Sequence, residues 1–222
     1  MRAHPARLRA FATITALTGW VVLILQCYLL LRLTVADGRG VSGGIVAYLG
    51  YFTILTNILA ALALSAPLVS RNSSLGRFFS GGSVISAVAA AMAMVGGAYS
   101  LLLRHLWNPQ GWQLVADEGL HDLMPIAFLI YWWFAVPRGA VRLADIPRWC
   151  MYPIAYLLYA MARGALIGSY PYPFIDVGVL GYGRVLLNAL GLLLGFALIA
   201  MVLVGAGALK GESAHPYTLR FK

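Results

Sequence analysis

Six long apolar runs divide the chain, at about 10–33, 45–69, 83–104, 119–136, 150–168 and 181–207, with short loops between them. A helix needs about 20 mostly apolar residues to cross the hydrocarbon core of a bilayer. In lipid a backbone must satisfy its own hydrogen bonds, so each run is expected to be a helix. The fold class read from this pattern is all-α: one polytopic membrane domain over residues 1–222 with six transmembrane helices. No stretch between the runs is long enough for a soluble domain, so any chemistry must sit among the helices. The charged fraction agrees, at 10% against about 25% in water-soluble domains.

The first run follows Arg2, Arg7 and Arg9, as in a signal peptide. It is too long for one and lacks a clear small-residue cleavage site, so a retained helix is expected. With the N-terminus inside, the inner segments hold Arg2, Arg7, Arg9, Arg71, Arg77, Arg138, Arg142, Arg148, Lys210, Arg220 and Lys222, and the outer ones only Arg32, Arg39 and Arg104. That asymmetry places both termini in the cytoplasm and suits a multi-pass protein of the cell membrane. Contact with anionic lipid accounts for the net charge of +9. The basic residues are spread over separate loops, so no nucleic-acid partner is expected. Cys27 and Cys150 fall near opposite faces in this arrangement and have no metal-ligand spacing. The pattern does not fix an oligomeric state.

The polar residues inside the runs gather at one level. The second run contains YFTILTN, in which Thr53, Thr56 and Asn57 share a helix face. At 1.5 Å per residue, Thr53 is expected about 12 Å below the outer end. His121 lies at the outer end of the fourth helix, one turn after Asp117 and Glu118. Arg163 is in the outer third of the fifth, and Arg184 and Asn188 are in the first turns of the sixth. The loop SYPYPFIDVGVLGYG adds Asp176 and several aromatics. The inner half shows nothing comparable. An ionisable group in a span costs about 2.5–3.5 kcal/mol at mid-depth and normally faces a cavity with partners. A functional cavity toward the outer side is therefore expected.

Pro125, four residues after His121, cannot donate to the His121 carbonyl and should bend the helix there. Either Asp117 or Glu118 could orient a ring nitrogen of His121. Structural roles stand beside functional ones. Thr and Asn in membrane helices commonly bond a carbonyl or a neighbouring helix, and Gly96–Gly97 reads as close helix packing. Tyr152, Tyr156 and Tyr159 line one face and read as packing. Arg163 could pair with Asp117, Glu118 or Asp176, or clamp a ligand carboxylate.

Several motifs carry a resemblance: YFTILTN; Ala116, Asp117, Leu120, His121 and Pro125 in the fourth run; Tyr152, Pro153, Tyr156, Tyr159, Arg163 and Gly164 in the fifth; then YPYPF–x–D and GYGRVLLN. Together they resemble the bacterial six-helix membrane proteins related to androgen-induced gene 1 protein and androgen-dependent TFPI-regulating protein. The animal members hydrolyse fatty acid esters of hydroxy fatty acids with a catalytic Thr and His. The resemblance implies a threonine-type lipid-ester hydrolase without a cofactor. Thr53 would be its nucleophile and His121 its base, with Thr56 a competing nucleophile on the same face. Asn57, Asn188 or a Tyr hydroxyl could then stabilise an oxyanion, Asp117 could orient His121, and Arg163 or Arg184 could bind a carboxylate. This chain departs from the animal members in its loops and in the YPYPF segment. Its expected partners are membrane lipids and a lipid ester. Two alternatives remain at this level: a non-enzymatic lipid or small-molecule transporter or binding protein, and a metal-dependent hydrolase using His105, His121 and the carboxylates.

Overall fold

The computed structural model describes residues 5–210. Arg2, Arg220 and Lys222, which contribute to the charge asymmetry, and the tail histidines His4 and His215 lie outside the described residues. Within them the chain is helical and contains no strand. The helices are α1 (Pro5–Ala36), α2 (Gly40–Leu49), α3 (Phe52–Val69), α4 (Ser74–Phe79), α5 (Gly82–Ala98), α6 (Trp112–Glu118), α7 (Met124–Ala135), α8 (Ile146–Ile167) and α9 (Val177–Leu209). A π-helical turn, Tyr99–Leu103, extends α5, and another, Gly119–Leu123, joins α6 to α7.

Five helical stretches are long and apolar enough to cross a membrane: Ala6–Ala36, Phe52–Val69, Gly82–Leu106, Leu143–Ile167 and Val177–Leu209. The continuous α6–α7 rod carries Asp117, Glu118 and Asp122 in its first half and is not among them. In the bundle, α5 is central and packs against α3, α7 and α9. Its Ala89, Ala90, Ala91 and Met92 are fully enclosed, as are Ala60, Ala61 and Ala63 of α3. Without long side chains between them, these backbones approach closely, as small residues allow in apolar surroundings. Gly96 faces the His121 carbonyl and Pro125, whereas Gly97 faces open space, so only one of that pair packs closely. By contrast, α9 presents Leu186, Leu187, Leu190, Leu194 and Leu198 outward. An apolar outer surface of this kind is at home in lipid and not in water.

The expected second helix, 45–69, is two helices. It breaks at Gly50 and Tyr51, with Tyr51 extended at φ −87° and ψ 132°. Thr53 is therefore in the first turn of α3 and not two turns inside a continuous helix. The cause is tertiary. From α8, Tyr156 donates to the Gly50 carbonyl at 2.9 Å, Tyr159 to that of Leu49 at 3.2 Å, and Arg163 Nε to that of Val46 at 3.2 Å. These carbonyls, which an unbroken helix would pair internally, are bound from α8 instead. A Cβ at Gly50 would lie 2.9 Å from the Arg163 guanidinium carbon, so a larger residue there would displace the Arg163 side chain.

Polar groups also gather at the opposite end of the bundle, contrary to the expectation of one level. Trp132 Nε1 donates to Ser86 Oγ at 2.8 Å, and Trp149 Nε1 to Ser83 Oγ at 3.0 Å. Buried Lys210 donates to the Val136 and Trp132 carbonyls at 2.9 and 3.3 Å, with its ammonium 4.0 Å from the Trp132 ring centre. These indole and serine partners sit in apolar helices where hydropathy gives no sign of them.

Candidate active site

Three helix ends converge at the α3 N-terminus. The first turn of α3 supplies Thr53, the end of α5 supplies Tyr99, and the α6–α7 rod supplies Asp117 and His121. Thr53 Oγ1 lies 3.3 Å from His121 Nε2. On the other side of the ring, Nδ1 is 2.9 Å from the Asp117 carbonyl and 3.2 Å from Asp117 Oδ1. A carbonyl oxygen can only accept, so Nδ1 carries the proton and Nε2 presents its lone pair to Thr53. Asp117 is the carboxylate that orients the ring, and Glu118 is not.

Tyr99 holds this arrangement from two directions. Its ring stacks on His121 with centroids 3.9 Å apart and planes 14° from parallel, and its hydroxyl donates to Asp117 Oδ2. Asp117 is 2% exposed and His121 14%. The π turn at 119–123 ends two residues before Pro125. The wider turn accommodates the proline there and replaces the expected simple kink.

The remaining expected site residues divide by their partners. Thr56 is buried and shares a 2.9 Å hydrogen bond with the Tyr152 hydroxyl, so of the two threonines only Thr53 reaches the imidazole. Asn57 Nδ2 donates to the Thr53 carbonyl at 2.9 Å and to the Leu120 carbonyl at 3.2 Å, fastening α3 to the π turn. Its buried Oδ1 has no partner. Asn188 donates to the Phe174 carbonyl at 2.9 Å and anchors the α8–α9 loop. Arg184 is exposed on α9, with no hydrogen bond or ion pair to the site. Arg163 meets none of the expected carboxylates: it donates to the Val46 and Ser169 carbonyls, while Asp176 caps α9 through Gly178 and Val179 N–H. Arg163 is thus part of the α8 grip on the helix break. Glu118 and Asp122 both pair with Arg104, at 3.0 and 2.5 Å. Among the described residues no three His, Cys, Asp or Glu side chains gather as metal ligands, and His105 does not join His121.

Two residues were missed from the sequence. Tyr99 lay in an apolar run at the same depth as His121, and including tyrosines in the depth argument would have found it. Tyr172 comes from the YPYPF loop. Its hydroxyl accepts from Thr53 N–H at 3.3 Å and lies 3.4 Å from Thr53 Oγ1. Burial holds this phenol above its ordinary pKa, although its contacts with Thr53 pull the other way. It therefore stays protonated through neutral pH.

A cavity of about 220 Å³ opens beside Thr53. Its walls are apolar, including Phe52, Met94, Leu157, Leu193 and Phe196, apart from Thr53 and the hydroxyl-bearing Tyr99, Tyr156 and Tyr172. Such a space takes an aliphatic chain and brings its polar end to the Thr53–His121 pair. Compared with family models, characterised proteins and solved structures, the chain matches none.

Proposed function

We propose that this chain is an integral-membrane lipid-ester hydrolase that uses Thr53 as nucleophile and His121 as general base. The observation that carries the reading is the Thr53–His121–Asp117 relay, whose Thr53 lines an apolar cavity. Nucleophile, base and orienting group stand in the order that hydroxyl activation requires. The resemblance described above supports the substrate class, fatty acid esters of hydroxy fatty acids. In this reading the α6–α7 rod is the sixth span, both termini are cytoplasmic, and the site faces the outer side of the cytoplasmic membrane.

Thr53 Oγ attacks the ester carbonyl carbon while its proton passes to His121 Nε2. Asp117 stabilises the imidazolium through Nδ1–H. Collapse of the tetrahedral intermediate breaks the ester C–O bond, and the leaving alkoxide takes the proton from His121. Water, deprotonated by His121, then attacks the acyl-threonine. The fatty acid leaves and Thr53 regains its proton. No cofactor enters this sequence.

The test is hydrolysis of a branched hydroxy-fatty-acid ester by the purified chain in nanodiscs, with and without chelator. Thr53→Ala and His121→Ala should each lower turnover by on the order of 10³-fold or more, with Thr56→Ala retaining it and chelator inert. Full activity in Thr53→Ala would defeat the reading. Chelator-sensitive turnover would favour the metal-dependent alternative. Tight lipid binding without turnover would favour a binding or transport protein.

A further inference from the structure

We propose that Tyr172 is a catalytic residue, the hydroxyl that donates to the oxyanion formed when Thr53 attacks. This rests on the hydrolase reading and goes beyond it, because neither the Thr–His pair nor the resemblance assigns a donor.

Counting protons around Thr53 leads to Tyr172. His121 Nδ1–H faces the Asp117 oxygens, so Nε2 receives the single Thr53 hydroxyl proton. The Thr53 amide can only donate, and it donates to the Tyr172 oxygen. The Tyr172 proton is therefore left to point toward Thr53 Oγ1, 3.4 Å away, or toward any oxygen that arrives beside it. Attack bonds Oγ1 to the carbonyl carbon, and the charged oxygen sits one bond beyond that carbon. A donor already beside the attacking atom can reach it. The resting contact is long, so giving it up for an oxyanion costs little.

The other candidate donors are occupied. Asn57 Nδ2 is held by two carbonyls and Asn188 by the Phe174 carbonyl. The Thr53 N–H acts through Tyr172 by polarising its O–H bond. That amide belongs to the first turn of α3, whose unpaired N–H groups carry partial positive charge. Helix end, tyrosine and oxyanion form one aligned chain of hydrogen bonds.

The tyrosine is also held in place before substrate arrives. Its ring stacks on Phe174 at 5.1 Å and 7°, and meets Tyr51 edge-on at 5.8 Å and 76°. Pro171 and Pro173 flank it, and Ile175 is buried behind the loop. A donor fixed in this way loses little entropy at the moment of reaction, which is what oxyanion stabilisation requires. Its raised pKa keeps the proton available.

The experiment compares wild type, Thr53→Ala and Tyr172→Phe, full chain in nanodiscs, on one long-chain ester. Tyr172→Phe is expected to lower kcat by about 10²–10³-fold with KM within twofold. Affinity for a long-chain trifluoromethyl ketone, whose threonine adduct carries an oxyanion, should fall in parallel. A kcat within threefold of wild type, or a loss confined to KM, overturns the proposal. If the Phe variant melts early, 3-fluorotyrosine at position 172 replaces it, keeping the shape while lowering the phenol pKa. A kcat–pH profile whose alkaline limb moves down with that substitution supports the proposal, and an unmoved profile overturns it. The two readings fail differently. A wild type without turnover, or an active Thr53→Ala, removes both. A Thr53-dependent enzyme indifferent to Tyr172→Phe removes only this one.

Discussion

At one end of the bundle, Trp132 and Trp149 give their indole protons to Ser86 and Ser83 at 2.8 and 3.0 Å. At the other, Thr53 meets His121 and Tyr172 at 3.3 and 3.4 Å, beside a cavity. The first set is closed. Ser86 accepts from the indole and passes its own proton to the Gly82 carbonyl at 2.8 Å. The second is left loose at its centre while its surroundings are tight: Tyr99 is stacked on His121, and Asn57 and Tyr156 are bonded to backbone carbonyls. A polar group that must bind a visitor cannot be fully satisfied beforehand. One that fastens helices should be. The contrast separates chemistry from architecture among groups that composition alone treats alike.

Among substitutions that test this contrast, Asp117→Asn should have the largest effect. Removing the charge deprives the imidazolium of its counter-ion and forces Tyr99 and His121 to compete for one carbonyl oxygen. The backbone carbonyl of residue 117 still accepts from Nδ1, so the tautomer survives. We expect turnover to fall by about 10²-fold, less than the roughly 10⁴-fold seen where the tautomer itself is lost. A steady-state measurement of kcat decides it, and an unchanged rate would reduce Asp117 to architecture.

Ser86→Ala should do the converse. It leaves the Trp132 indole N–H buried without a partner, for a loss of about 1–3 kcal/mol. Thermal unfolding in detergent should register that loss while turnover per folded molecule stays at wild type. A fall in turnover without a fall in stability would erase the distinction between the two ends.

How much of this was legible follows from the kind of force involved. The apolar runs set the helices, because lipid solvation acts residue by residue along the chain. The gathering of Thr53, Asp117 and His121 was legible because the cost of burying polar groups acts at a depth, and depth can be counted along a helix. The break at Gly50–Tyr51 was not. Hydropathy runs through it unbroken, and the α8 residues that hold it open lie about a hundred positions away. The same holds for Ser86 and Trp132, whose pairing only packing reveals. Arg163 reads as half of an ion pair or as a carboxylate clamp, because a charge within a span demands a partner. It found carbonyls, which the sequence cannot distinguish from carboxylates as partners for a guanidinium.

Arg163→Ala therefore tests whether the grip on the break serves the site. It removes hydrogen bonds to the Val46 and Ser169 carbonyls and loosens the segment that sets the position of Thr53. A small displacement of a nucleophile is costly, and we expect kcat to fall roughly tenfold. KM should stay level for both carboxylate-bearing and neutral esters. A rise in KM confined to carboxylate-bearing esters would restore the clamp that the hydrogen bonds argue against.

The smallest effect belongs to Lys210, at the closed end. Burial lowers its pKa from 10.5 to about 8, even though two carbonyls and the Trp132 face favour the charged form. Among the described residues no carboxylate pairs with it. Between about pH 8 and 10.5 the unfolded chain binds more protons at this position than the folded one, so stability from this group rises with pH across that window. Below pH 8 the folded state carries the cost of holding a buried ammonium. Lys210→Met keeps the stem without the charge, so its stability should lack that slope. Melting temperatures of both forms from pH 7.5 to 10.5 give the comparison, and the gap should close or turn in favour of wild type as pH rises. Parallel curves would mean that the carbonyls and the ring fully offset burial, and that this end is closed electrostatically as well as by hydrogen bonds.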